Sequence, residues 1–289
     1  MKTLDMLSNP EMARLLWPSI IAGLGIAAMC SVLSVFVVLK RLSFIGQGVS
    51  HAAFGGIGVA AVLGLMGTTS AAAGGAQFAI VLAFCIGAAW LMGSLTSKGS
   101  GNADTAIGIV LVASMALGAA LFFIAWRRGL SPGLSWESVL FGSILGVGKV
   151  DAQVVWVAAA VTAVTIWLTW RPTVFWAFDE EGAAAFGVNT ARAKYRLLTL
   201  LALATVTGMK LAGVVLATAM LVLPGATALR LSDRLPRVLL LSIAVSLVGV
   251  LGGLVASFEL DLPAGACIVG ALTVLYAFAT VISLRSGRS

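Results

Sequence analysis

Lys40-Arg41-Leu42-Ser43-Phe44-Ile45-Gly46-Gln47-Gly48-Val49-Ser50-His51-Ala52-Ala53-Phe54-Gly55-Gly56 carries the single histidine of the chain, His51. From Leu42 to Ser97 there is no Lys, Arg, Asp or Glu. That run is long enough for two membrane crossings of roughly 20 residues each, with a split near Gly64 to Gly75. An imidazole in so apolar a stretch is expensive to bury and asks for a partner or a function. Gln47 stands four residues earlier, so on a helix both side chains share one face.

The rest of the chain has the same character. Of 289 residues, 60% are hydrophobic and 10% charged, and the mean hydropathy is +1.08. A soluble domain of this length could not cover such a surface with polar groups. The composition therefore predicts an all-α, polytopic transmembrane helical bundle. The 33 glycines suit close helix packing in lipid. Cys30, Cys85 and Cys267 lie far apart in apolar segments and read as small hydrophobes, not as a metal or disulfide framework. The +7 net charge comes from basic residues that flank apolar spans, so it points to cytoplasmic loops and not to nucleic acid. Met1 to Glu11 is mixed and polar, unlike a cleavable signal.

Charge-free stretches mark further spans at Leu15–Leu39, Thr105–Trp126, Ala152–Trp170, Val238–Phe258 and Leu262–Leu284. Leu197–Met209 and Leu211–Leu229 form a pair interrupted by Lys210. Trp136–Val147 is short for a span and reads as a re-entrant segment or a short helix. The count is eight or nine spans in one membrane domain, residues 1–289. Arg171, Arg192, Lys194, Arg196, Arg230, Arg234, Arg237, Arg285 and Arg288 fall on one side. By the positive-inside rule that side is the cytoplasm, which places the C-terminus there and turns Glu259 and Asp261 outward.

The largest polar loop is Phe178-Asp179-Glu180-Glu181-Gly182-Ala183-Ala184-Ala185-Phe186-Gly187-Val188-Asn189. It reads as a short amphipathic helix, with Asp179 as its cap and Gly187 at its C-terminal end. Either it lies on lipid, or it is a docking knob for a soluble partner. Acids near its start disfavour anionic headgroups.

Four blocks together resemble the zinc/manganese/iron permease family of ATP-binding-cassette importers, over about Leu16 to Leu284. The first is Val38–Gly56, similar to the family's Arg-Arg, Gly-Asp, Ser-His-Ala block. The second is Leu140-Phe141-Gly142-Ser143-Ile144-Leu145, with Asp151 after it. The third is Phe178–Val188, similar to the Phe-Asp-x-Glu-x-Ala-x-x-x-Gly coupling loop, with Glu181, Ala183 and Gly187 in register. The fourth is Gly213-Val214-Val215-Leu216 through Leu221-Val222-Leu223-Pro224-Gly225-Ala226-Thr227-Ala228, followed by Leu260-Asp261-Leu262-Pro263-Ala264-Gly265.

The resemblance implies a bacterial inner-membrane permease subunit that admits zinc, manganese or iron as substrate and holds no permanent cofactor. It implies two copies of this chain, a cytoplasmic ATPase pair that pushes on Phe178, Asp179, Glu181, Ala183 and Gly187, and an extracytoplasmic metal-binding protein that Glu259 and Asp261 would meet. His51 and Gln47 would lie on the metal path, and Pro224 beside Gly225 would kink a helix along it. One position departs from the family, which usually has Asp where this chain has Gln47. A neutral amide is a poorer ligand for a hard ion, which counts against manganese more than against zinc.

The chain itself offers no nucleotide site. Gly148-Lys149 lacks the Ser/Thr and the glycine spacing of a phosphate loop, since Val150 follows. It is therefore expected not to be an enzyme. The alternatives are a metal-chelate permease of the same broad class, a proton-coupled secondary transporter with His51 as relay, and an intramembrane enzyme using Ser50 and His51.

Overall fold

The computed structural model describes residues 10–66, 71–96, 103–130 and 147–285. They form helices α1 (Pro10–Leu39), α2 (Ser43–Val62), α3 (Ala71–Thr96), α4 (Ala103–Arg127), α5 (Lys149–Leu168), α6 (Trp170–Phe178), α7 (Glu180–Ala185), α8 (Thr190–Met220), α9 (Leu223–Leu231), α10 (Leu235–Leu260) and α11 (Ala264–Arg285). No strand occurs among the described residues, and eight stretches there are long and apolar enough to cross a membrane. Most of Trp136–Val147 lies outside the described residues.

The described residues group into two compact units. The first comprises α1, α5, α6, α7, the last part of α8, and α9 to α11. Within it α1 packs on α5, α9 and α10. Hydroxyls stitch α1 to α10: Ser242 Oγ donates to the Ser31 carbonyl at 2.7 Å, and Ser246 Oγ to the Ala27 carbonyl at 3.1 Å. Such bonds replace the hydrophobic drive that lipid cannot supply between helices.

The chain folds back within α8. Gly213 has φ 76° and ψ 173°, a conformation only glycine adopts without strain. A Cβ on Gly208 would lie 3.4 Å from Ala217 Cβ, whereas nine residues of straight helix rise about 13.5 Å. The interruption expected at Lys210 therefore falls three residues later. The kink expected at Pro224 is a break. Met220 ends α8, Leu221 and Val222 form a turn, and Pro224 opens α9 in the first turn, where its missing N–H costs nothing. Gly225 instead serves packing, since a Cβ there would meet the Ser34 carbonyl carbon at 2.5 Å.

The second unit comprises α2, α3, α4 and Asn189–Val206. Helix α2 is its centre and packs on both α3 and α4. Its glycines make that approach. A Cβ on Gly48 would lie 2.6 Å from Met92 Sδ, and one on Gly58 would lie 2.7 Å from the Gly118 carbonyl oxygen. Lys194 Nζ donates to the Gly93 carbonyl at 2.8 Å, and Trp90 Nε1 to Thr199 Oγ1 at 3.0 Å, which holds Asn189–Val206 to α3.

Candidate translocation and coupling sites

Helix α2 presents its candidate site as a consequence of how it is buried. Ile45, Gly46, Gly48, Val49, Ser50, Ala52 and Ala53 are all buried, while Phe44 and Gln47 are exposed and His51 is half-buried. Spacings of three and four put Phe44, Gln47 and His51 in one stripe. The His51 ring stacks on Phe54, with centroids 6.3 Å apart and planes 14° from parallel. Its Nδ1 is buried and has no hydrogen-bond partner. Buried ring nitrogens are normally paired, so this atom marks a site with capacity for a ligand.

Ser50 is different. It is fully buried, and its hydroxyl donates back to the Gly46 carbonyl at 3.0 Å. That bond commits the hydroxyl to its own helix, which removes the basis for a Ser–His nucleophile. Among the described residues no three His, Cys, Asp or Glu side chains gather as a metal-holding group. His51 and Gln47 are thus two donors of one face and not a complete coordination shell. Cys30, Cys85 and Cys267 are free, and the first two are buried.

The polar loop folds as its sequence suggests. Asp179 caps α7, accepting from the Gly182 N–H at 2.8 Å. Gly187, at φ 80°, closes it: its N–H donates to the Ala184 carbonyl and that of Val188 to the Ala183 carbonyl, at 3.0 and 2.9 Å. Ala183 is fully buried beneath the helix. Glu181 is exposed, and so are two aromatic rings, Phe178 at 60% and Phe186 at 82%. Phe186 rests against Phe175, with centroids 5.8 Å apart. Exposed rings on a segment capped at both ends make a preformed apolar knob. Lys40 at the end of α1 reaches this segment through Glu180 at 2.6 Å. Sequence reading did not pair these residues, since each stands in a small charged cluster, Lys40 beside Arg41 and Glu180 between Asp179 and Glu181.

Elsewhere, Asp261 adopts the left-handed conformation at the end of α10, with Glu259 two residues before it. Glu259 lies in the last turn of α10, and Asp261 opens the turn to α11. Gly148 is the N-cap of α5, and its N–H donates at 3.1 Å to Oδ2 of Asp151, the third residue of the helix, so Asp151 satisfies the start of α5 from within its first turn.

Residues 12–283 match the ABC 3 transport family. The chain belongs to this family. It is 32% identical over 266 residues to the manganese transport system membrane protein MntC of Halalkalibacterium halodurans, covering 92% of this chain and 86% of that one. It is 32% identical to the chelated iron transport system membrane protein YfeC of Yersinia pestis, covering 92% and 84%. The solved PsaBC structure from Streptococcus pneumoniae, in complex with a Fab, superposes with a TM-score of 0.77 at 27% identity, covering 96% of this chain and 93% of that one. A metal-chelate type ABC transporter in an inward-facing conformation shares the fold, with a TM-score of 0.67 at 18% identity. This ABC 3 chain is thus a multi-pass metal-transport permease, with relatives named for manganese and for iron.

Proposed function

We propose that this ABC 3 chain is the permease subunit of an importer that carries a divalent metal ion into the cell. In this reading the ion passes the Phe44–Gln47–His51 face of α2, and an ATPase subunit seats on Phe178–Val188. The observation that carries it is the buried, unpartnered His51 Nδ1 on the exposed stripe of an otherwise buried helix. An ion leaving water needs donors along its path, and few weak ones let it leave again. Gln47 supplies a neutral amide oxygen where a carboxylate would bind a hard cation more tightly. The remaining ligands come from the second copy of this chain or from backbone carbonyls.

Membrane orientation follows from the same reading. With the knob in the cytoplasm, Lys40, Arg192, Arg230 and Arg285 share its side, as the positive-inside rule requires. The C-terminus is then cytoplasmic. Glu259 and Asp261 face the extracytoplasmic binding protein. Pro224 and Gly225 shape the break beside α1.

The test is uptake of manganese, iron and zinc into proteoliposomes holding the full complex. His51→Ala is expected to lower uptake at least about tenfold while the ATPase still co-purifies. Gln47→Asp is expected to tighten binding of manganese relative to zinc. Uptake that runs on a proton gradient without ATP would overturn the reading in favour of a secondary transporter.

A further inference from the structure

Lys40 makes more contacts than a solvated loop lysine would. Its Nζ lies 2.6 Å from Glu180 Oε2, donates to the Trp176 carbonyl at 3.2 Å, and sits 4.4 Å from the centroid of the Trp176 ring. One ammonium thus grips the chain on both sides of Asp179, the residue that caps α7. The Lys40 side chain is 15% exposed and that of Glu180 52%. The ammonium is shielded on the Trp176 side while the carboxylate meets solvent, so the ring and carbonyl contacts hold the lysine more than the ion pair does. Trp176 is 1% exposed, yet its Nε1 is buried without a hydrogen-bond partner. An indole held despite an unmade hydrogen bond is held for its ring, and the ring is what the ammonium covers.

The other end of Lys40 is equally fixed. It closes α1, where the helix dipole favours a cation. Arg41 follows at φ 54°; its N–H donates to the Val38 carbonyl at 3.1 Å, and that of Leu42 to the Val37 carbonyl at 2.8 Å. This is a doubly bonded helix stop. Only Arg41 and Leu42 then separate Lys40 from α2, the helix that carries Gln47 and His51.

We propose that Lys40 is a positioning residue that fastens the coupling segment Trp176–Glu180 to the end of α1, so that a push on the segment reaches the corner leading into α2. Without the clamp the segment still presents its rings to a partner but slides when loaded. The proposal rests on the reading that Phe178–Val188 receives an ATPase.

The experiment uses the complete transporter in proteoliposomes, with manganese(II) as the probe, and reads ions moved and ATP hydrolysed together. Lys40→Gln is expected to keep the ATPase bound and to raise the ATP spent per ion about tenfold. Lys40→Arg keeps the cation, the ring contact and the carboxylate pair, and is expected to retain the native ratio. Glu180→Gln removes the carboxylate charge and leaves the Lys40 contacts with Trp176 in place, and is expected to shift the ratio in the same direction by less; it decides the matter if Lys40→Gln does not fold. A native ratio in Lys40→Gln overturns the proposal, as does loss of the bound ATPase in that variant, because the clamp would then serve docking alone. If Glu181→Ala with Phe186→Ala leaves the ATPase bound, the docking reading itself fails, whatever Lys40 does.

Discussion

Gly118→Ala tests how α2 is held, and with it the placement of His51. A Cβ on Gly118 would stand 2.5 Å from the Phe54 carbonyl oxygen, 2.6 Å from the Phe54 carbonyl carbon and 2.9 Å from the Gly55 nitrogen. All three are backbone atoms, so no side chain can rotate away. Ordinary contact begins at 3.4 Å, so α2 and α4 must part by about 1 Å in an interior packed at crystal-like density. Overpacking of this kind costs roughly 1–3 kcal/mol. The Gly→Ala change returns up to about 1 kcal/mol of helix propensity. The upper part of the cost range applies, because the obstacle is rigid, and the net loss is about 2 kcal/mol. Gly108→Ala in the same helix is the control, since nothing lies within 4 Å of a Cβ there. It is expected to gain up to about 1 kcal/mol. Reversible unfolding of both variants in the same detergent micelles measures the difference. Phe54 stacks on His51, so Gly118→Ala is also expected to slow metal uptake. A Gly118→Ala protein as stable as its parent would refute the close backbone approach and the argument for a fixed His51.

Other positions give cheaper tests. Asp179→Ala removes the α7 cap and is expected to cost the segment about 1 kcal/mol, seen as faster amide exchange at Gly182 and weaker ATPase co-purification. Ser242→Val removes the donor to the Ser31 carbonyl and is expected to lower stability by roughly 0.6–2 kcal/mol in the same unfolding assay. Arg41→Gly relieves a non-glycine left-handed residue and is expected to raise stability by about 1 kcal/mol, unless Arg41 itself contacts a partner, in which case ATPase binding falls.

Much of this architecture is legible along the chain because the membrane makes it one-dimensional. Charges cannot sit in hydrocarbon, so charge-free lengths bound the helices closely: Thr105–Trp126 lies within α4 and Val238–Phe258 within α10. The loop capped by Asp179 and Gly187 is local chemistry and is likewise readable. What escaped depends on backbone freedom or on distance in sequence. Lys210 marks a polar residue, but the reversal falls at Gly213, where a left-handed dihedral is free of strain. Pro224 reads as a kink only if its helix is continuous; with α8 already ended at Met220, the same ring starts α9. Lys40 and Glu180 stand 140 residues apart, and no periodicity in the sequence joins them. Yet both stand where charges meet the ends of apolar helices, Lys40 beside Arg41 and Glu180 between Asp179 and Glu181, and a charge left there without a partner is costly. In a chain with 10% charged residues, each charge at a span end is expensive enough that asking what faces it is a productive search. Here that search leads to the joint between the Trp176–Glu180 segment and the helix end that precedes His51.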